Sequence, residues 1–326
     1  MVNFPISELE MRISPKTRLS LPKFREGAVR GALGSVFHRM VCSQPRNKEC
    51  AGCALVGRCA FSVVFAPSSQ TENGFMSGQA SVPRPYMVQI QGQGEKREFT
   101  SGQILTLKLV LIGRGIQYYP YFLLSFLAMG QEGIGNSRYD GETGKFKLLS
   151  VSEKFPDGKH KRLYNTENPE YSTDPTGYEI KKLLDYEVSK VDKCTVHMES
   201  PLRVRKKGRL LSELPFEVLM KSVVTRLNAL SRHFGNGCVE YPSPSFWEKT
   251  KMVRVCDAQT SFCDYYWGSV RQERKIKLGG ITGSITYEGD LTPFINYLKL
   301  AEKTGVGKNT TFGFGRIRLE TGVGRM

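Results

Sequence analysis

Glu302–Glu320 reads EKTGVGKNTTFGFGRIRLE, and how this stretch is read decides the fold. Its core, Gly305–Thr310 (GVGKNT), invites a nucleotide phosphate loop. That loop needs G-x-x-x-x-G-K-[ST], with a hydroxyl directly after the lysine to reach magnesium. Here Asn309 follows Lys308, and Glu302 occupies the place of the first glycine. The nucleotide reading therefore fails at two positions. What remains is the end of a helix, a glycine-rich turn and an alternating strand over Gly315–Leu319.

The order of elements extends outward from there. Leu291–Leu300 reads as a helix entered through the Gly289-Asp290 turn. Gly279–Tyr287 and Lys249–Val255 read as strands. PFEVLMKSVVTRLNALSRHFG is the clearest helix, with Phe216, Leu219, Val223, Leu227, Leu230 and Phe234 on one face and Gly235 as its stop. CTVHMESPLRVR before it is strand-like. The first half repeats this order. Leu9–Ile13 is a strand, and KFREGAVRGALGSVFHRMVC is a helix with Val29, Leu33, Val36, Phe37 and Met40 as its apolar stripe. Gly31, Ser35 and His38 lie opposite that stripe; small residues there allow another backbone to approach. Pro83–Ile90 and Ile104–Ile112 are strands, YYPYFLLSFLAMG is a helix, and Phe146–Val151 alternates again. The helix-to-glycine step occurs twice, as FLAMGQEGIGNSR and as YLKLAEKTGVGKNTTFGFGR. The expected fold is α+β, two tandem ferredoxin-like domains over residues 1–185 and 186–326, with a Cys-rich insertion (42–59) in the first and a glycine-rich loop (305–315) in the second. Asp157–Lys182 is polar, with Pro169 and Pro175, and reads as a long loop or linker with room for local structure.

The chain has 326 residues and a net charge of +16, which makes a long polyanion the first partner to consider. The plainer alternative is a soluble basic protein. There is no run of about 18 uncharged apolar residues and no basic-then-apolar leader, so a cytosolic protein without a membrane span is expected. Four of the eight cysteines fall in the spacing C-x7-C-x2-C-x5-C as Cys42, Cys50, Cys53 and Cys59. Without a secretion signal such a cluster reads as metal-binding before disulfides. Four thiolates around a tetrahedral zinc leave no open position, so the metal would be structural. An iron–sulfur cluster or unligated thiols are the alternatives.

VRGALGSVFHRMVC, the cysteine cluster, PRPY, SPLRVR, GGITGSITYEGD and GVGKNTTFGFGRIRL occur in one order. Together they resemble the CRISPR-associated RAMP-superfamily endoribonucleases that process precursor CRISPR RNA, over nearly the whole chain. The resemblance implies two ferredoxin-like (RAMP/RRM-like) domains. It also implies metal-independent cutting of one phosphodiester within a repeat. The 2′-hydroxyl attacks the adjacent phosphate, leaving a 2′,3′-cyclic phosphate and a 5′-hydroxyl. A histidine in or just after the first helix is implied as catalytic, which points to His38, since histidine is the usual residue for such proton transfers. Many relatives also carry a histidine shortly before the G-K of the last loop; here that position is Gly305, and Tyr86 and Lys308 are the substitutes to weigh.

Lys308, Arg316 and Arg318 would place positive charge near the glycine-rich turn, whose amides can also face phosphate. A structural use of the same glycines is to pack on the small face of the first helix. Arg203, Arg205, Lys206, Lys207 and Arg209 form one basic run, and Arg271, Arg274, Lys275 and Lys277 another; each is either a solvated loop or an RNA contact. Arg30 and Arg138 complete the expected RNA-binding set. Two rival readings stand: a noncatalytic RAMP-type RNA-binding subunit of a CRISPR effector complex, and a zinc-braced protein for another nucleic acid.

Overall fold

A computed structural model describes residues 2–44, 50–67, 82–92, 96–135, 143–169, 173–184, 187–206, 209–211, 213–269 and 274–321. The chain forms two compact units, Pro5–Tyr178 and Glu179–Met326, the latter including Met1–Phe4.

In the first unit the elements are β1 (Pro5–Pro15), α1 (Arg25–Val41), α2 (Ala60–Phe65), β2 (Tyr86–Ile90), β3 (Leu105–Ile112), α3 (Tyr119–Glu132), β4 (Phe146–Lys154) and β5 (His160–Asn165). The strands pair antiparallel in the order β2-β3-β1-β4-β5. The first four give the ferredoxin-like arrangement, and β5 widens it by one strand. Period-2 alternation sends Leu9, Met11 and Ile13 of β1 inward with Leu105, Leu107 and Leu109 of β3, all fully buried. α1 and α3 cover that face through Val29, Leu33, Phe37, Phe122 and Phe126. The opposite residues of β1 carry charge: Glu8 pairs with Lys108 and takes a 2.5 Å hydrogen bond from Tyr178.

The second unit comprises β6 (Lys193–Leu202), α4 (Phe216–Phe234), α5 (Pro244–Met252), β7 (Arg254–Ser269), β8 (Arg274–Glu288), α6 (Ile295–Thr304) and β9 (Ile317–Thr321). Its sheet order is β7-β8-β6-β9, the same ferredoxin-like arrangement. Phe216 of α4 meets Tyr287 of β8 and Phe294 edge-on, each at 5.1 Å, and Tyr287 donates to the Leu214 carbonyl at 2.7 Å. β8 pairs with β6 only from Ile281 to Glu288, whereas it pairs with β7 as far as Arg274. The hairpin therefore runs on beyond the sheet as a two-stranded arm.

One expectation is corrected. Lys249–Met252 belongs to helix α5, not to a strand. Ser243 caps that helix by accepting from the Phe246 amide at 3.2 Å, and Pro244 fills its first turn. The stretch 157–182 does hold local structure. Leu163 and Tyr164 are buried in β5, and Thr176 and Gly177 bind buried Glu153. That carboxylate accepts from Ser7 Oγ (2.7 Å), Gly177 N (2.8 Å), Thr176 N (3.0 Å) and Thr176 Oγ1 (3.2 Å).

Candidate functional site

His38 stands in the last turn of α1, half-buried. Its ring meets Phe61 of α2 edge-on at 4.6 Å, and its carbonyl accepts from the Cys42 amide at 2.9 Å. Arg39 beside it pairs with Glu132 of α3 and donates to Ser35 Oγ at 3.1 Å. The histidine is thus gripped through its main chain and one ring face. A Cβ at Gly31 would meet no described atom within 4 Å, while one at Gly34 would touch the Phe65 ring at 3.2 Å.

Tyr86, weighed as a proton donor, is corrected to a core residue. It is 0% exposed and packs on Phe65 (5.0 Å) and Phe122 (5.4 Å). Burial raises its hydroxyl pKa, opposed by the charges of Arg30 and Arg84. Such a hydroxyl is enclosed by the sheet and helices and is not presented to a solvent-borne phosphate. Arg30 holds its guanidinium 5.8 Å from the centroid of the Phe65 ring. Arg84 donates Nε to the Phe65 carbonyl at 2.7 Å, and its pKa is lowered by burial and then by Arg30. Sequence reasoning missed Arg84; its signal was the arginine inside PRPY, held between two prolines.

In the second unit the glycine-rich turn closes on the end of β6. Lys308 N donates to Arg203 O (2.9 Å), Gly315 N to Pro201 O (3.0 Å) and Val306 N to Gly315 O (2.9 Å). Gly307 and Gly315 have φ of +76° and +72°, and a Cβ on them would lie 2.4 Å from Arg203 O and 1.9 Å from Val306 O. Asn309 also sits in the left-handed region, at φ 64°. These glycines are therefore required inside their own unit, and several loop amides are spent on its carbonyls. Among the described residues no hydrogen bond or ion pair engages the Lys308 ammonium, and the side chain is exposed.

The other expected cations differ in freedom. Arg203 Nη1 donates to Gly279 O at 2.8 Å, and its pKa is lowered by burial and by Arg205. Arg316 Nη2 donates to Glu199 O at 3.1 Å, and its amide to Ser200 Oγ at 2.9 Å. Arg205 is exposed at the start of a short ribbon in which Arg205 and Lys206 pair with Leu210 and Arg209. Lys275 pairs with Gly268 on the hairpin arm. Arg138, Lys207 and Arg271 lie outside the described residues. Of the remaining histidines, His197 Nε2 lies 2.9 Å from Glu320, and His233 ends α4.

Cys42, Cys50, Cys53 and Cys59 are half-buried and unbridged, and all four line one cavity. Among the described residues, no three His, Cys, Asp or Glu side chains are disposed to hold a metal ion as they stand. No described helix is long and apolar enough to cross a membrane.

A family model described as an N-terminal domain matches residues 4–176, more than half of the chain. The model of the CRISPR-associated endoribonuclease Cas6 matches residues 196–317, which include the glycine-rich turn and Lys308. An uncharacterized protein of Archaeoglobus fulgidus is 24% identical over 315 residues, 92% of this chain and 93% of its own. Among solved structures, a partial Cas6-RT-Cas1–Cas2 complex is similar with TM-score 0.59 at 13% identity, over 100% of this chain; the chain spans 48% of that polypeptide, about half its length. A Cas6 product complex gives TM-score 0.52 at 14% identity, covering 97% of this chain and 100% of that one. Cas6 of Thermus thermophilus gives TM-score 0.52 at 13% identity, covering 97% and 99%. At these identities the solved structures establish a shared fold.

Proposed function

Because this chain belongs, by its Cas6 segment over residues 196–317, to the CRISPR-associated, RAMP-type Cas6 endoribonuclease family, we propose that it cuts precursor CRISPR RNA within the repeat. The observation that carries the reading is the Cas6 match over the segment bearing the glycine-rich turn and exposed Lys308. The 2′-oxygen forms a bond to the adjacent phosphorus while the bond from phosphorus to the 5′-oxygen breaks. The products are a 2′,3′-cyclic phosphate and a 5′-hydroxyl, and no metal takes part. One proton leaves the 2′-hydroxyl and one reaches the 5′-oxygen.

His38 is the proton-transfer residue in this reading, supported by its half-exposed place at the end of α1. Lys308 supplies positive charge to the phosphate and replaces the histidine absent at Gly305. Arg30, Arg203, Arg205, Lys206, Lys275 and Arg316 contact the RNA backbone, with Arg138, Lys207 and Arg271 added from the sequence. A repeat hairpin would be read largely through its shape and its flanking single strand. The partners are the precursor RNA and a CRISPR effector complex that takes the product, in the cytoplasm.

The test is cleavage of the repeat RNA from its own locus in EDTA. Cutting should persist there and disappear with a 2′-deoxy substitution at the scissile ribose. Tight binding without cleavage would favour a noncatalytic RAMP-type subunit of an effector complex.

A further inference from the structure

We infer that Cys42, Cys50, Cys53 and Cys59 form a zinc site that ties down the last turn of α1. The four thiols arrive from three places: the C-terminal cap of α1, the turn around Cys50–Gly52, and the residue before α2. They nonetheless line a single cavity of about 20 Å³, whose other walls include Leu55, Val56 and Phe61. Leu55 in this segment is 47% exposed. The segment's backbone is folded around the sulfurs. Cys53 N donates to Cys50 O at 3.1 Å, Val56 N to Cys53 O at 3.0 Å, and Leu55 N to Cys53 Sγ at 3.5 Å. Four cysteine thiols sharing one cavity supply the ligand set of a structural zinc. The thiols are not gathered for ligation as they stand; closing on one ion requires side-chain rotation around the cavity they already share.

The same ion would act on His38. Cys42 donates its amide to the His38 carbonyl, and Phe61, two residues after Cys59, holds the His38 ring. Zinc would join the two segments that grip this histidine. This second half rests on the proposed endoribonuclease reading; the zinc site does not.

Elemental analysis of the full chain, purified without chelator, should find about one zinc per chain. The cluster thiols should resist a disulfide reagent until a mercurial releases that zinc, and cobalt substitution should give sulfur-to-cobalt charge-transfer absorption. Cys53→Ser should lose the metal; should it fail to fold, the wild-type stoichiometry and thiol reactivity still decide. Substoichiometric zinc after zinc-supplemented expression, with all four thiols reactive, overturns the site, as does iron with acid-labile sulfide. Zinc-stripped protein should cleave about 10–100-fold more slowly at saturating RNA, with KM unchanged. An unchanged rate would sever the link to His38. Zinc-loaded protein that cuts no RNA would overturn the endoribonuclease reading and leave the zinc site standing.

Discussion

The two units share one strand order, yet they differ at the end of their first long helix. α1 ends in His38 and Arg39, and α4 ends in Arg232 and His233, so each closes with a basic pair that suits the helix C-terminus. Only α1 is followed by the cysteine segment and α2, which brings Phe61 against its histidine. The His233 ring lies 6.5 Å from that of the neighbouring Phe234. Duplicated topology thus carries two similar helix ends, and one of them has acquired a second element to hold its histidine. The largest expected effect breaks this symmetry. His38→Ala should lower cleavage about 10²–10⁴-fold, whereas His233→Ala should leave it near wild type. Single-turnover rates on the repeat RNA check both; a normal rate for His38→Ala removes that residue from the chemistry.

Glycine is used differently in the two units as well. Gly315→Val would force a β-branched side chain into φ +72° and into the Val306 carbonyl. A cost of about 3 kcal/mol or more is expected, read as a lost or lowered unfolding transition. Gly31→Ala enters open space in a helix and should stabilise by about 0.5–1 kcal/mol. Destabilisation by Gly31→Ala would restore the close-approach role expected from the sequence.

A third contrast separates a cation left to solvent from cations tied to the main chain. Lys308→Ala should weaken RNA binding by about one phosphate contact, reducing the salt slope by about 0.7–0.9, with no change in thermal stability. Arg203→Ala removes a hydrogen bond to Gly279 O and should cost about 1 kcal/mol of stability. Salt-dependent binding and melting curves, measured together, distinguish the two.

These contrasts also mark how much was legible in the sequence. The order of elements was readable because apolar period and glycine stops recur in both halves. Lys249–Met252 was misread because its alternation outweighed the Ser243-Pro244 cap. Tyr86 was weighed for chemistry on a strand read over Pro83–Ile90, and periodicity alone cannot tell that β2 is buried on both faces. The glycine loop's nearest partners, the carbonyls of Arg203 and Val306, are set by tertiary closure and leave no local signal. The convergence of the four cysteines on one cavity was only half legible: spacing gave the ligand type, and the fold supplied the shared space.

The smallest expected effect compares a buried acid with a half-buried one. Glu153 receives four hydrogen bonds in the first unit. In the second unit Glu302 accepts from the Leu319 amide at 2.6 Å, and burial raises its pKa against that bond and the charges of Lys303 and Lys299. A carboxyl whose folded pKa is raised contributes stability that is fully present below its unfolded pKa. That stability is lost as pH rises through the folded pKa. At neutral pH the fold therefore carries a partly buried charge that it would hold better as a neutral group. Glu302→Gln keeps Oε1 for the Leu319 amide and removes the charge. Its melting temperature should exceed wild type at neutral pH, and the gap should close below the ordinary carboxylate range, where wild-type Glu302 is itself protonated. A lower melting temperature for Glu302→Gln at neutral pH would show that the charged hydrogen bond outweighs burial, making Glu302 a weaker relative of Glu153 and not its opposite.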